Sequence, residues 1–199
     1  MKTTTLAKIR EFDPCKWSWE DLLKGLEKGG ADNEPLRLGE IKHILNIHDA
    51  LWAVRTQSKP DAVELACMIV ERYYGPSPSP SPEVAKALQV ARANSKGSVT
   101  IEEVQEAIQL IKVEVEWWEN LTNKANHSFL TREVCKGYFH GKLREALKRL
   151  GAAKTAWVVL NLSGMDEMKY LTDEVLRVSR TIQLGWDEIT EVFMEWERM

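Results

Sequence analysis

Apolar residues recur at intervals of three and four along almost the whole chain, and this spacing constrains the fold more than any other feature of the sequence. A helix places such residues on one face, whereas a half-buried strand needs clean alternation, which the sequence does not show. The pattern therefore predicts an all-α protein, a multi-helix bundle of about nine or ten helices. Hydrophobic residues make up 44% of the 199 positions, which is enough for a packed core.

The longest predicted helix begins at a capping box formed by Thr100 and Glu103 and extends to about Asn123. It carries two neighbouring apolar rows, and rows of that combined width predict contacts with several other helices. The rows are Val104, Ile108, Ile111, Val115 and Trp118, and beside them Leu110, Val113, Trp117 and Leu121.

A tryptophan-rich stretch, DPCKWSWEDLLKGL, precedes an amphipathic helix near the start of the chain. Ser18 is the predicted N-cap, so the helix would begin at Trp19. Trp17 would then pack back onto Leu22 as a hydrophobic staple. Trp19 and Cys15 are predicted to pack against the helix that contains the phrase DALW. An open alternative is that the two tryptophans form a platform on which a ligand stacks.

A Ser/Pro-rich spacer, GPSPSPSP at residues 75–82, cannot continue a helix because its prolines lack backbone donors. It predicts an N-terminal helical layer over residues 1–74 and a C-terminal helical bundle over residues 83–199, although one continuous domain is also compatible with the sequence. Ser81 is the predicted N-cap of the next helix, which ends near Asn94.

The three cysteines are Cys15, Cys67 and Cys135, and their wide spacing offers neither a disulfide framework nor a CxxC metal site. This usage favours a reducing compartment, and we expect a cytoplasmic protein. No apolar run is long enough for a membrane span, so no membrane partner is expected. The net charge of −3 gives no overall reason to expect nucleic acid.

Catalytic and cofactor motifs are absent from the sequence, which contains no phosphate-binding glycine loop and no nucleophile elbow. His43 and His48 are five residues apart, a spacing that turns them away from each other on a helix. Cys135 and His140 have the same spacing, so a cysteine nucleophile would need a base from elsewhere in the fold. We expect no enzymatic activity, no cofactor and no metal site.

Charged residues are segregated between helices. A basic row recurs every fourth residue in a predicted basic helix over residues 131–154, while the helix from Thr100 and the final helix are acidic. These rows could be solvated faces or pair weakly with each other. Alternatively, the basic row could contact phosphates, or an acidic helix could occupy a basic groove on a partner. The candidate basic patch consists of Arg132, Lys136, His140, Arg144 and Lys148.

The final predicted helix combines aromatic and acidic residues in the manner of a protein-binding helix. A helix that packs on its own core would have the same composition, so both interpretations remain open. The candidate partner-binding residues are Trp186, Glu188, Glu191, Glu195 and Trp196.

Five phrases of the sequence resemble a family of uncharacterised helical proteins encoded in phages and bacterial genomes. The phrases are FDPC at Phe12–Cys15, WxxLL from Trp19, DNEPLRLGEIKHIL at Asp32–Leu45, HDALWAVR at His48–Arg55, and ALQVARANSKGSVTIEEVQEA at Ala87–Ala107. The family has no assigned catalytic residues. The resemblance implies a phage or prophage accessory protein, and a host defence complex is then an economical partner, as for an anti-CRISPR protein.

The sequence thus predicts a non-enzymatic protein that acts by binding another protein. Two alternatives remain: a nucleic-acid-binding module that uses the basic helix over residues 131–154, and a bacterial immunity-type or structural interaction protein. The oligomeric state is not predicted.

Overall fold

The computed structural model describes residues 1–74, 81–129, 149–151, 153–161, 163, 173 and 186–199. The protein is an all-α bundle, which confirms the predicted fold class. Residues 149–151 and 153–161 are also helical, and Val54–Thr56 form a short 3₁₀ turn after α4. The other helices are α1 (Leu6–Glu11), α2 (Lys16–Gly25), α3 (Leu38–Ile44), α4 (Ile47–Ala53), α5 (Lys59–Tyr74), α6 (Pro82–Ser95), α7 (Ile101–Phe129) and the terminal helix (Trp186–Arg198).

A short antiparallel strand pair joins β1 (Thr3–Thr4) to β2 (Leu36–Arg37), with Thr3 opposite Arg37. Two-residue strands carry no alternation signal, so the sequence pattern does not predict them. The backbone N–H of Lys2 donates to the carbonyl of Glu197 at 2.8 Å. The start of the chain is therefore held between β2 and the terminal helix.

Two predicted helix starts are confirmed by their caps. The Ser81 hydroxyl accepts a hydrogen bond from the Val84 backbone N–H at 3.3 Å. In the capping box of α7, the Thr100 N–H donates to Glu103 Oε2 at 2.8 Å and the Glu103 N–H donates to Thr100 Oγ1 at 3.2 Å. Gly97 separates α6 from α7 with a φ of +68°, a conformation that favours glycine.

The start of α2 differs from the prediction. The helix begins at Lys16, and the Cys15 thiol rather than the Ser18 hydroxyl caps it, with Sγ accepting from the Ser18 N–H at 3.4 Å. The earlier start turns Trp17 outwards, and its side chain is 77% exposed. The prediction that Trp17 staples onto Leu22 is therefore wrong.

The core lies between helices that pack on one another. The terminal helix packs on α5 and also contacts α3 and α4, while α6 packs on α5 and α7 packs on α6. Residues 75–80 of the predicted spacer lie outside the described residues, and the division into two layers stays a prediction. The helices that precede and follow the spacer, α5 and α6, are in direct contact.

A buried carboxylate joins the terminal helix to α3. Glu197 is fully buried, and its Oε1 accepts from the Gly39 N–H at 3.3 Å and lies 3.5 Å from Arg37 Nε. A Cβ on Gly39 would lie 3.1 Å from Glu197 Oε2, so glycine leaves the room that the carboxylate needs. This contact fixes the end of the terminal helix against β2 and α3.

Candidate protein-binding surface

The terminal helix buries one of the tryptophans predicted to bind a partner. Trp196 is 1% exposed and its Nε1 donates to the Asp61 carbonyl at 2.8 Å. It lies on the apolar face of the helix together with Val192 and Phe193, and this helix packs on α5. Trp196 is therefore a core residue, which corrects its assignment to a partner-binding surface.

The remaining candidates on the terminal helix are at the surface, but some already have contacts within the chain. Arg72 of α5 donates to Glu191 Oε2 at 3.2 Å and to Glu195 Oε2 at 2.8 Å. The Trp186 ring lies 3.8 Å from the His48 ring, centroid to centroid. Glu188 is exposed. The structure thus gives the carboxylates at 191 and 195 a role in attaching this helix to α5.

The candidate basic patch, Arg132, Lys136, His140, Arg144 and Lys148, lies outside the described residues. Two basic side chains that follow it are described, and both contact α7. The Arg149 guanidinium lies over the Trp118 ring at 5.5 Å, and Lys154 Nζ is 2.5 Å from a Glu119 carboxylate oxygen. At this place a basic and an acidic helical segment pair with each other.

The second apolar row of α7 is exposed to solvent. Its members are separated by three or four residues, so they share one face of the helix. The neighbouring face of α7 holds the buried Ala107, Ile111 and Thr122. The predicted contacts of α7 with several helices are present, to α6 and to the helical residues 149–151 and 153–161, but the second row takes no part in them and is exposed. The exposed fractions in the row are 40% for Leu110, 66% for Val113, 55% for Trp117 and 39% for Leu121.

Trp117 is the largest side chain in this row, and a neighbouring tryptophan supports it. The rings of Trp117 and Trp118 meet edge to face, with centroids 4.4 Å apart and planes at 85°. Trp118 Nε1 donates to Glu114 Oε1 at 2.8 Å. Trp118 is partly buried, and its hydrogen bond to Glu114 orients the ring that lies against Trp117.

Carboxylates lie at the N-terminal end and along one edge of the exposed row. At about 100° per residue, Glu102, Glu106 and Glu116 lie within about 60° of Val113 around the helix, and all three are exposed. Within the part of the chain that the structure describes, none of these three makes an ion pair. Lys112 lies farther round the helix, about 100° from Val113. We define the α7 face as Leu110, Val113, Trp117 and Leu121 with Glu106 and Glu116.

A small cavity of about 70 Å³ lies where α2 meets α4. Cys15, Trp19 and Trp52 are among its lining residues, so Cys15 and Trp19 lie on the side of α2 that faces the DALW helix, with the cavity between them. Their direct packing on that helix stays a prediction. Trp17 and Trp19 are two positions apart on α2 and point to different sides, which contradicts the alternative of a shared stacking platform.

The described cysteines differ in chemistry. Hydrogen bonds from the Ser18 side chain and backbone lower the pKa of the exposed Cys15 thiol. Burial raises the pKa of Cys67 to about 12, and this thiol lies between α5 and α6, 3.9 Å from the Leu88 carbonyl. Only Cys15 of these two is open to reagents. Cys135 lies outside the described residues.

The described part of the chain brings together no group of three or more metal-binding side chains. Every helix in that part is too short or too polar to cross a bilayer. His43 and His48 lie on separate helices, α3 and α4.

Comparisons of this chain with protein-family models, curated proteins and solved structures found no match. The resemblance to the phage-encoded family therefore stays a prediction from the phrases quoted above.

Proposed function

We propose that this protein acts by binding another protein through the α7 face and has no catalytic activity of its own. The exposed row from Leu110 to Leu121 carries the proposal. Interfaces are anchored by aromatic and aliphatic side chains near their centre, with a polar rim around them. Trp117 is suited to be such an anchor, because it is exposed and its orientation is supported by Trp118.

The contacts of the terminal helix favour α7 over the surface predicted from sequence. On the terminal helix Val192, Phe193 and Trp196 are buried in the core and Trp186 is exposed against His48. Two carboxylates of this helix pair with Arg72. On α7 the apolar row is exposed and the carboxylates beside it are available. Apolar area that is still exposed to water can contribute free energy when a partner covers it.

The resemblance in sequence supports a narrower proposal. We propose a cytoplasmic phage or prophage accessory protein whose partner belongs to a host defence complex, which it inhibits by occupying a surface. The phrases FDPC and HDALWAVR, at Phe12–Cys15 and His48–Arg55, are the basis for this step. The three widely spaced cysteines agree with a reducing compartment.

The binding proposal is tested by two matched tryptophan variants. Trp117→Ser removes the proposed anchor, whereas Trp17→Ser removes an exposed tryptophan from α2, far from the α7 face in the sequence. Tagged wild type and both variants are used for affinity capture from nuclease-treated lysate of the native host, at low and high salt. We expect one protein to be retained by wild type and Trp17→Ser and lost by Trp117→Ser.

Other results would contradict the proposal. Equal retention by both variants would exclude the α7 face, provided that circular dichroism shows all three proteins folded. Material that is recovered only without nuclease and only at low salt would indicate nucleic-acid binding instead. The narrower proposal is tested by measuring phage plating on a host with an active defence system: the wild type should raise plating and Trp117→Ser should not.

A further inference from the structure

From the charges around the α7 face we infer the chemistry of the partner: an amphipathic helical segment whose apolar side is flanked by lysine or arginine residues. This inference rests on the proposed function, because it concerns the same surface. The apolar row and the carboxylates stand in a fixed order along α7. Glu102 and Glu106 lie in the first two turns, Leu110 to Leu121 follow in the middle of the helix, and Glu116 lies beside them.

The length of the surface determines the length of the partner segment. With a rise of 1.5 Å per residue, Leu110 to Leu121 span about 17 Å, and Glu102 to Leu121 span about 28 Å. A helix of about 12 to 19 residues therefore covers the row and reaches the first carboxylates. Helices that bind along another helix in this way place apolar residues at intervals of three and four. The basic residues of the partner would lie over the first two turns of α7 and beside Glu116.

The charge of α7 favours a basic partner over a second copy of this chain. Glu106 and Glu116 are exposed, so lysine or arginine can approach them with little desolvation cost. Such pairs at the rim of an interface steer association and select the correct partner. Two copies that packed their α7 faces together would bring glutamates against glutamates.

Peptide binding tests this inference directly. The probe is a fluorescein-labelled, tryptophan-free 18-residue helix with leucine on one side and lysine at its flanks. The control peptide carries glutamate in place of each lysine. Fluorescence anisotropy is measured with both peptides at about 50 mM and about 500 mM salt, which changes the screening length severalfold. We expect the basic peptide alone to bind, and to bind at least about tenfold more weakly at the higher salt.

Protein variants locate the site. The double variant Glu106→Lys/Glu116→Lys reverses the charge beside the row, and Glu11→Lys/Glu27→Lys changes the net charge by the same amount at exposed positions elsewhere. We expect the first pair to weaken binding of the basic peptide at least about tenfold and the second pair to leave it within about twofold. Trp117→Ser should weaken binding at both salt concentrations, because it removes apolar contact.

Three results would overturn the inference. The first is that the two peptides bind equally well or that neither peptide binds. The second is an equal loss in both double variants, which would show attraction to net charge alone. The third is a dimer in sedimentation velocity that Trp117→Ser dissociates, since a second copy would then occupy the face. If the peptides fail but host capture still depends on Trp117, only the partner chemistry is wrong. If Trp117→Ser also leaves capture of the host protein unchanged, the proposed function itself is wrong.

Discussion

The terminal helix and α7 have similar amino-acid compositions, but their tryptophans differ in burial. Both are amphipathic, and both place tryptophan among apolar residues and glutamates. Trp196 of the terminal helix is buried and donates a hydrogen bond to Asp61, whereas Trp117 of α7 is more than half exposed. The same composition therefore serves as core in one helix and as surface in the other.

The width of the apolar surface accounts for the difference. In the terminal helix, Ile189, Val192, Phe193 and Trp196 form one stripe, and α5 with its neighbours covers it completely. In α7 two rows lie side by side, and α6 packs on the row that includes Ile111. A helix that is apolar beyond the reach of its packing partner keeps the excess exposed, and on α7 this excess is the basis of the proposed binding surface.

The largest predicted effect separates the two tryptophans. Trp196→Ala should lower the free energy of unfolding by about 3 to 5 kcal/mol, because it leaves a cavity in the core. Trp117→Ala removes the same side chain from the surface and should cost about 0.5 kcal/mol or less. Urea unfolding followed by circular dichroism measures both. A similar loss in the two variants would show that α7 is packed as fully as the terminal helix.

A thiol gives a local measure of the same contrast. Cys67 of α5 is buried with a pKa raised to about 12, so a thiol reagent reaches it only when this region opens. Trp196→Ala should accelerate its labelling by about a hundredfold, and Trp117→Ala should not. Mass spectrometry of the labelled peptides gives the rates, and Cys15 serves as the exposed control. If Cys67 reacts as fast as Cys15 in the wild type, the core around α5 is open.

Two glutamates of the terminal helix should also differ in how much stability is lost when each is replaced by alanine. Glu197→Ala leaves the Gly39 N–H without its acceptor and should cost about 2 kcal/mol. Glu195→Ala, two positions earlier and exposed, should cost about 0.5 kcal/mol or less. Thermal unfolding monitors both changes. An equal small effect would mean that the Glu197 contact does not stabilise the fold.

A double-mutant cycle sharpens this test. Gly39→Ala places a methyl group against the Glu197 carboxylate and should destabilise the wild type by about 1 to 3 kcal/mol. The same change should cost less when Glu197 is already alanine, because the crowding is gone. Additive effects would contradict the direct contact between the two residues.

The last prediction concerns the carboxylates first expected to bind a partner. Glu191→Lys/Glu195→Lys places lysines beside Arg72 and should cost about 1 kcal/mol or less, since the two carboxylates are more than half exposed and Arg72 is partly exposed. Adding Arg72→Glu should restore stability by exchanging the charges. Capture of the partner should be unchanged in these variants. If capture is lost, the terminal helix rather than the α7 face binds the partner.

The sequence predicts well what depends on neighbouring residues. Helical periodicity, the Ser81 cap and the Thr100 to Glu103 capping box are local features, and all are confirmed. The start of α2 was missed because Cys15 and Ser18 can both accept a backbone hydrogen bond, and their order of use depends on how the chain enters the helix.

The candidate site depends on contacts that spacing cannot encode. Leu110 and Ile111 are adjacent apolar residues in the same helix, yet only Ile111 is covered. Glu195 and Glu197 are equally polar in the sequence, and the acceptor role of Glu197 requires Gly39, which is 158 positions away. Local patterns therefore identify the helices but not which of their faces is exposed.

The attachment of the terminal helix also has a consequence for biosynthesis. Trp196 contacts the backbone at Asp61 across 135 positions, and Glu197 contacts Gly39 across 158. While the ribosome translates the intervening residues, the apolar face of α5 has no cover from this helix, so the nascent chain carries an open core during that interval. We expect this interval to be the time at which molecular chaperones bind the chain.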